Sequence, residues 1–345
     1  MKDLFTPYEY KSLKLKNRVV MPPMCQYSVT NKDGIATDWH YNHYVSRAVG
    51  GAGLIIVEMA DVDPDGRITD YDLGLWSDEQ IPALARIVEA SHAYGAKVGI
   101  QVAHAGRKAE DAVLPVSSSA IPFDDKSTTP HALTTEEVKA MVGKFKLGVQ
   151  RAVQAGFDVI ELHGAHGYLI HQFHSPLTNQ RTDEYGQDRT LFGREVIAAA
   201  KSVMPEGMPL IMRISAQEYV EGGYGLTESL IISRAYKEAG ADIFHISAGG
   251  EGPIAAAGRP GTHAAYQVPL ARAIKQELNV PVIAVGRLDE AVLANAVIGN
   301  EEADLVAVGR GMLRNPYWTL EAGVVLGKDA GVPKQYELGF PRAAK

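Results

Sequence analysis

The chain has 345 residues, 46% of them hydrophobic and 22% charged, a globular mixture with enough apolar material for a large core. Its net charge of −7 argues against a protein that coats itself on nucleic-acid phosphates. A single cysteine, Cys25, excludes an internal disulfide, the charged N-terminus lacks the apolar centre of a signal peptide, and no apolar run reaches the ~18–20 residues that cross a bilayer, so a cytoplasmic protein without a membrane partner is expected.

Residues Thr6–Asn17 alternate like a short hairpin, placed to cap one end of the fold. Eight short apolar runs follow: Val19–Met24, Leu54–Met59, Lys97–His104, Asp158–Gly164, Pro209–Ala216, Asp242–Ala248, Pro281–Arg287 and Asp304–Arg310. Their apolarity is continuous rather than alternating, as a parallel strand covered on both faces requires. Amphipathic helices lie between them. Thr134–Gln150 is the clearest, with Thr134 and Glu137 in a capping-box pattern and Val138, Met141, Val142, Phe145 and Val149 on one face. Ala155-Gly156 and Ala239-Gly240 stand just before strands, where a helix C-cap belongs.

Strands alternating with helices build either a closed barrel or a doubly wound open sheet. The count of eight, with no Gly-x-Gly-x-x-Gly after the first strand and no Walker-type loop, favours a (β/α)8 TIM barrel with an N-terminal β-hairpin cap. No linker-like stretch divides the chain, so residues 1–345 read as one domain. Two connections, Ala105–Leu133 and Gly249–Val268, are longer than the rest. Both follow strand C-termini, the end at which such barrels carry their active sites.

Polar and aromatic groups are concentrated at those strand ends: Met24-Cys25-Gln26-Tyr27, Glu58, Gln101, His104, His163, His166, Tyr168, Arg213, Arg287 and Arg310. A packed barrel has no structural need for them, since each one buried without a partner costs roughly 1–3 kcal/mol. The last two strands end in Val285-Gly286-Arg287 and Val308-Gly309-Arg310. Glycine admits a phosphate to the backbone and arginine adds a bidentate donor, so the repeated pair points to phosphate rather than to two surface turns. In His163-Gly164-Ala165-His166-Gly167-Tyr168, two histidines three apart are able to hold one carbonyl or phenolate oxygen, with Tyr168 as a proton donor. A metal site using His171 and His174 as well is the rival reading; the missing carboxylate set argues against it, and those two histidines read as structural. Cys25 is either a small buried hydrophobe or a thiol poised beside a cofactor.

Six segments in order resemble the Old Yellow Enzyme family: Pro23-Met24-Cys25-Gln26-Tyr27, Gln101 with His104-Ala105-Gly106-Arg107-Lys108, the His163–Tyr168 run, Arg181-Thr182-Asp183-Glu184-Tyr185-Gly186, Arg213-Ile214-Ser215-Ala216 and Gly309-Arg310. The Cys25 and Tyr27 pattern is similar to the bacterial thermophilic-like, or xenobiotic reductase, branch. The resemblance runs from about Phe5 to Tyr336. It implies an oxidoreductase that binds FMN without a covalent link, takes electrons from NADPH or NADH and reduces an activated C=C bond in small electron-poor alkenes. It further implies that Pro22, Pro23, Met24, Cys25 and Met59 line the flavin and that Gln101 bonds its pyrimidine edge. Arg213 would sit near its N1–C2=O end, and Gly286, Arg287, Gly309 and Arg310 would hold its phosphate. His163 and His166 would bind the substrate oxygen, Tyr27 would contact substrate, and Tyr168 would deliver the proton. A homodimer or homotetramer is implied as well.

Three positions depart from the family pattern. Tyr185-Gly186-Gln187-Asp188-Arg189 is shorter than the usual loop. Leu338 stands where some relatives carry an arginine that reaches a neighbouring subunit's site. His174 replaces a usual leucine. Among rivals, a dienoyl-CoA or trimethylamine-dehydrogenase-like reductase needs several cysteines for an iron–sulfur cluster, which one cysteine excludes. A non-flavin metal or aldolase-type barrel, and an FMN barrel without catalytic activity, are the remaining alternatives.

Overall fold

A computed structural model describes residues 2–252 and 263–340. Eight parallel strands close on themselves: β1 (Val19–Met21), β2 (Leu54–Asp61), β3 (Lys97–Ala103), β4 (Val159–Gly164), β5 (Leu210–Ser215), β6 (Ile243–Ser247), β7 (Val282–Val285) and β8 (Leu305–Ala307). Each pairs with the next in sequence, and β8 pairs with β1 to complete the ring. Seven strands fall inside the runs expected for them, β2 runs two residues past the expected end at Met59, and the barrel is the one the sequence favours.

Alternation along the strands sorts their side chains into two cores. Val20, Leu54, Ile56, Val159, Ile211, Ile243, Ile283 and Leu305 point inward and fill one end of the barrel. Tyr8, Leu13 and Leu15 join that cluster from an antiparallel hairpin (Tyr8–Tyr10 with Leu13–Leu15), which plugs this end as expected. The intervening residues, among them Ile55, Val57, Val98, Ile100, Ile160 and Leu162, face the helices. Both faces are therefore apolar, which is why the runs lack an alternating pattern.

The helix expected from Thr134 spans Thr135–Gln154. The Thr134 hydroxyl accepts from the Glu137 N–H at 3.2 Å, and the Glu137 carboxylate accepts from the Thr134 N–H at 2.7 Å, the reciprocal pair that the sequence spells. The turn after it passes through Gly156 at φ +88°. The Ala239-Gly240 pair closes another helix, Leu226–Ala239, with Gly240 left-handed.

Strand β2 carries a bulge. Val57 pairs with Ile100 and Met59 with Gln101, so Glu58 is an extra residue. Simple alternation from Leu54 and Ile56 would aim Glu58 into the barrel. The bulge turns it outward to Tyr44, on the helix Asp38–Val49, and brings Met59 to the inner side.

The connection Ala105–Leu133 is not loose. A short pairing of Val116–Ser117 with His131–Ala132 organises it, and Ser117 and Ser118 bond to Gln172. Arg181 donates to the carbonyls of Ser118 and Leu133 and pairs with Asp183. The Arg181-Thr182-Asp183 segment is thus a clasp on this loop. The second long connection is described only to Gly252 and from His263 onward.

Candidate active site

Strand β4 delivers His163 to the C-terminal mouth, where it is almost fully buried. Its Nδ1 accepts from the Ala165 N–H at 3.2 Å, which leaves the ring proton on Nε2. The chain then turns sharply, with His166 at φ +59° and Gly167 at φ +74°. The His166 N–H donates to Ser215 Oγ at 3.0 Å, and that hydroxyl donates to the Gly249 carbonyl at 2.7 Å. Strands β5 and β6 therefore hold the strained residue in place. Lys108 adds a clamp, donating to the carbonyls of His166 (2.9 Å) and Gly250 (3.2 Å).

The turn brings the His166 ring to 5.1 Å from that of His163, at 83°. His163 Nε2 and His166 Nδ1 face each other at 3.4 Å, and His166 Nε2 meets Ser247 Oγ at 2.7 Å. Tyr168 stacks edge-on to His163, at 4.8 Å between rings. Burial, reinforced by the nearby Arg213 cation, pushes both histidines well below their ordinary value, so they are neutral near pH 7. Burial pushes the Tyr168 phenol well up, so its proton stays on. Two neutral imidazoles and a protonated phenol thus share one corner of the mouth.

The other expected residues surround this corner. Met59, Cys25 and Tyr168 pack in one apolar cluster. Pro22 and Pro23 are buried just past β1, and Met24 and Cys25 are partly covered. Burial, with Glu58 nearby, pushes the Cys25 thiol up, so it stands as a neutral thiol. Tyr27, at φ +50°, is 48% exposed at the rim. Gln101 is buried on β3 and donates to Glu161 at 2.7 Å. Arg213 is buried on β5, and its Nε has no partner among the described residues. Gly286 has φ +131°, a conformation that only glycine holds without strain. A Cβ on Gly309 would touch Met24 and Pro22, so the end of β8 lies against the segment after β1. Arg287 and Arg310 are exposed beside these glycines.

Two of the strand-end expectations, Glu58 and His104, need correction. Glu58 does not line the mouth. Its carboxylate accepts from Tyr44 Oη at 2.8 Å and from the Gln26 N–H at 2.6 Å, bracing the Cys25-Gln26 segment from behind. His104 is taken up by its own turn, Nδ1 accepting from the Gly106 N–H at 2.9 Å. His171 is structural: Nδ1 accepts from the Gly167 N–H at 2.9 Å and Nε2 lies 3.1 Å from Glu218. His171, Glu218 and Glu251 come close enough to suggest a metal site. With Nδ1 accepting, however, Nε2 carries the proton for Glu218 and has no lone pair to give. His174 is buried behind the mouth and bonds to the Tyr236 hydroxyl, so its replacement of leucine is a matter of packing. Sequence reasoning passed over Ser247, Gln267 and Glu161, and gave Ser215 no role of its own. Glu161 lies two residues before His163, a spacing that puts both on one face of a strand.

The donors gathered here fit a flavin mononucleotide: an inward amide at Gln101, a buried guanidinium with an orphaned N–H at Arg213, an apolar wall at Met24, Cys25 and Met59, and glycines flanked by arginines at β7 and β8. A closed barrel with this mouth belongs to the class of FMN-dependent oxidoreductases. The model of the NADH:flavin oxidoreductase / NADH oxidase family matches residues 3–326, and the chain belongs to that family. An NADPH dehydrogenase of Listeria monocytogenes serotype 4a (strain HCC23) is 49% identical over 342 residues, covering 97% of this chain and 98% of the relative. An NADPH dehydrogenase of Halalkalibacterium halodurans is 48% identical over 337 residues, again covering 97% and 98%. Among solved structures, morphinone reductase in complex with tetrahydroNAD superposes with a TM-score of 0.80 at 26% identity, over 100% of this chain and 98% of that one. The Old Yellow Enzyme resemblance is borne out, and the protein is an FMN-dependent NAD(P)H oxidoreductase. No helix among the described residues is long and apolar enough to cross a membrane.

Proposed function

We propose that this enzyme reduces the activated C=C bond of α,β-unsaturated carbonyl or nitro compounds, among them enones, maleimides and quinones. The observation that carries the reading is the convergence of His163 Nε2 and His166 Nδ1 beside the Tyr168 ring. Bound FMN would supply the redox chemistry, hydride transfer between NAD(P)H and the β-carbon of the alkene.

The chain's own residues do the rest. Pro22, Pro23, Met24, Cys25, Met59 and Gln101 seat the cofactor, Arg213 balances negative charge at its pyrimidine end, and Gly286, Arg287, Gly309 and Arg310 take its phosphate. His163 donates from Nε2 to the substrate's carbonyl or nitro oxygen, and the bond strengthens as negative charge grows there. His166 donates from Nδ1 once Ser247 turns its hydroxyl to Nε2 and shifts the ring to the other tautomer. Tyr168 supplies the proton to the α-carbon; its strongly raised pKa keeps that proton available at neutral pH. Tyr27 borders the opening and contacts the substrate's far end. NAD(P)H and substrate use the same face in turn, which gives ping-pong kinetics. We read the protein as a cytoplasmic homodimer or homotetramer; Leu338 is fully exposed beside the Tyr317–Tyr336 ring pair, so the segment is free to meet a second subunit without an arginine.

An absorbance titration of the FMN-loaded protein with p-hydroxybenzaldehyde tests the oxygen site. A new long-wavelength band on adding the phenol is expected, because a phenolate held by the histidine pair would be an electron donor to the bound flavin. A saturating phenol that leaves the spectrum unchanged, together with no turnover of cyclohexenone or N-ethylmaleimide, would overturn the reading.

A further inference from the structure

Beneath the mouth lies a charged group that the proposed chemistry does not use. Glu161 precedes His163 by two residues on β4 and faces the same interior, one layer deeper, with no solvent exposure. Both of its oxygens are taken: Oε1 accepts from Gln101 Nε2 at 2.7 Å, and Oε2 accepts from His245 Nδ1 at 2.7 Å. Burial alone would raise its pKa, but His245, Arg213 and Gln101 outweigh burial and hold the carboxyl below its ordinary value. Burial and the same Arg213 push His245 down, so His245 serves as a neutral donor. The cluster therefore carries one buried anion close to one buried cation.

A carboxylate in this position is costly unless a specific interaction repays it. Two apolar side chains would fill the layer, as they do in the layer below it. What Glu161 does instead is visible in its partners. It claims the N–H end of the Gln101 amide, so the carbonyl end is the one left for another group. It also sits within electrostatic reach of Arg213, the buried cation at the mouth.

We propose that Glu161 is a positioning residue and counter-anion: it orients the Gln101 amide toward the flavin and offsets the Arg213 charge, and so holds the potential of the bound flavin below what Arg213 alone would set. This rests on FMN binding, not on which alkene is reduced.

Glu161→Gln removes the charge with little change of shape. The new amide's oxygen keeps the bond from Gln101, and its NH2 donates to His245 Nδ1 once that ring moves its proton to Nε2. The FMN-loaded variant is therefore expected to be easier to reduce. At a fixed potential its ratio of reduced to oxidised flavin should rise about tenfold or more, a positive shift of about 30 mV for a two-electron couple. An unchanged midpoint potential, with FMN retained, would overturn the proposal. Should this variant fail to fold, Glu161→Asp keeps the charge but withdraws it from Gln101. Its potential should stay at the parent value while FMN dissociates more readily. FMN retention equal to that of the parent would remove the orienting role, and a large positive shift with the charge still present would remove the electrostatic one.

Discussion

His163 Nε2 and His166 Nδ1 stand 3.4 Å apart, facing one another across the corner that Tyr168 closes. Two residues of chain, Gly164 and Ala165, separate them, and the left-handed backbone at His166 and Gly167 folds the second ring back toward the first. The Ala165 N–H sets the tautomer of one ring and Ser247 that of the other. An oxygen placed between the inward nitrogens would meet the His163 donor directly, would gain His166 as a second donor once Ser247 turns its hydroxyl to Nε2, and would replace the mutual contact of the two rings.

Removing the better-defined donor tests that arrangement. His163→Ala is expected to weaken phenol binding and slow alkene reduction by about 100-fold or more, the loss typical of one oxyanion donor. Reduction of the flavin by NADPH should be less affected. The check is a spectral titration with p-hydroxybenzaldehyde beside rapid-mixing rates for the two half-reactions. Unchanged phenol affinity would remove His163 from the oxygen site.

Tyr168→Phe keeps the ring against His163 and Cys25 but loses the proton. The half-reaction with NADPH should survive, and the alkene half-reaction should slow by about 100- to 10,000-fold, the range for a positioned general acid. Full alkene turnover would assign the proton to water or another group.

Glu58 gives the protein a pH signature in its stability. Burial raises its carboxyl from 4.5 to about 8, against the opposing bonds from Gln26 and Tyr44. The folded state therefore holds a proton that the unfolded chain releases. This contribution is fully present below pH 4.5 and is lost as pH rises through about 8. Denaturation curves from pH 5 to 8 should show the parent losing up to about 1.4 kcal/mol per pH unit more than Glu58→Gln. Parallel pH profiles would mean that Glu58 is ionised throughout.

Gly286→Ala tests the end of β7. At φ +131° an alanine is strained, and its Cβ would stand 3.1 Å from Gln267 Nε2. Gln267 accepts from Ser247 at 3.2 Å, so the disturbance reaches the His166 partner as well as the cofactor seat. A stability loss of about 1–3 kcal/mol and faster FMN release are expected, measured by thermal unfolding and by flavin fluorescence on dilution. Wild-type FMN retention would place the phosphate elsewhere.

The sequence by itself determined the barrel. Eight apolar runs, the Thr134–Glu137 cap and the hairpin Thr6–Asn17 are local patterns, and each folded where its own residues dictate. The motif at His163–Tyr168 was legible too, because all its members lie within one short segment. What only the tertiary structure decided were directions and partners. Glu58 looked like a mouth residue until the bulge against Ile100 and Gln101 turned it outward, and a bulge depends on the neighbouring strand. The Arg181–Asp183 clasp, the Lys108 clamp and the Glu161 contacts with Gln101 and His245 join residues far apart in the chain. Nothing local encodes such pairs: hydrophobic periodicity reports which face of an element is buried, whereas a hydrogen bond between side chains on different strands exists only once the ring has closed and set their register.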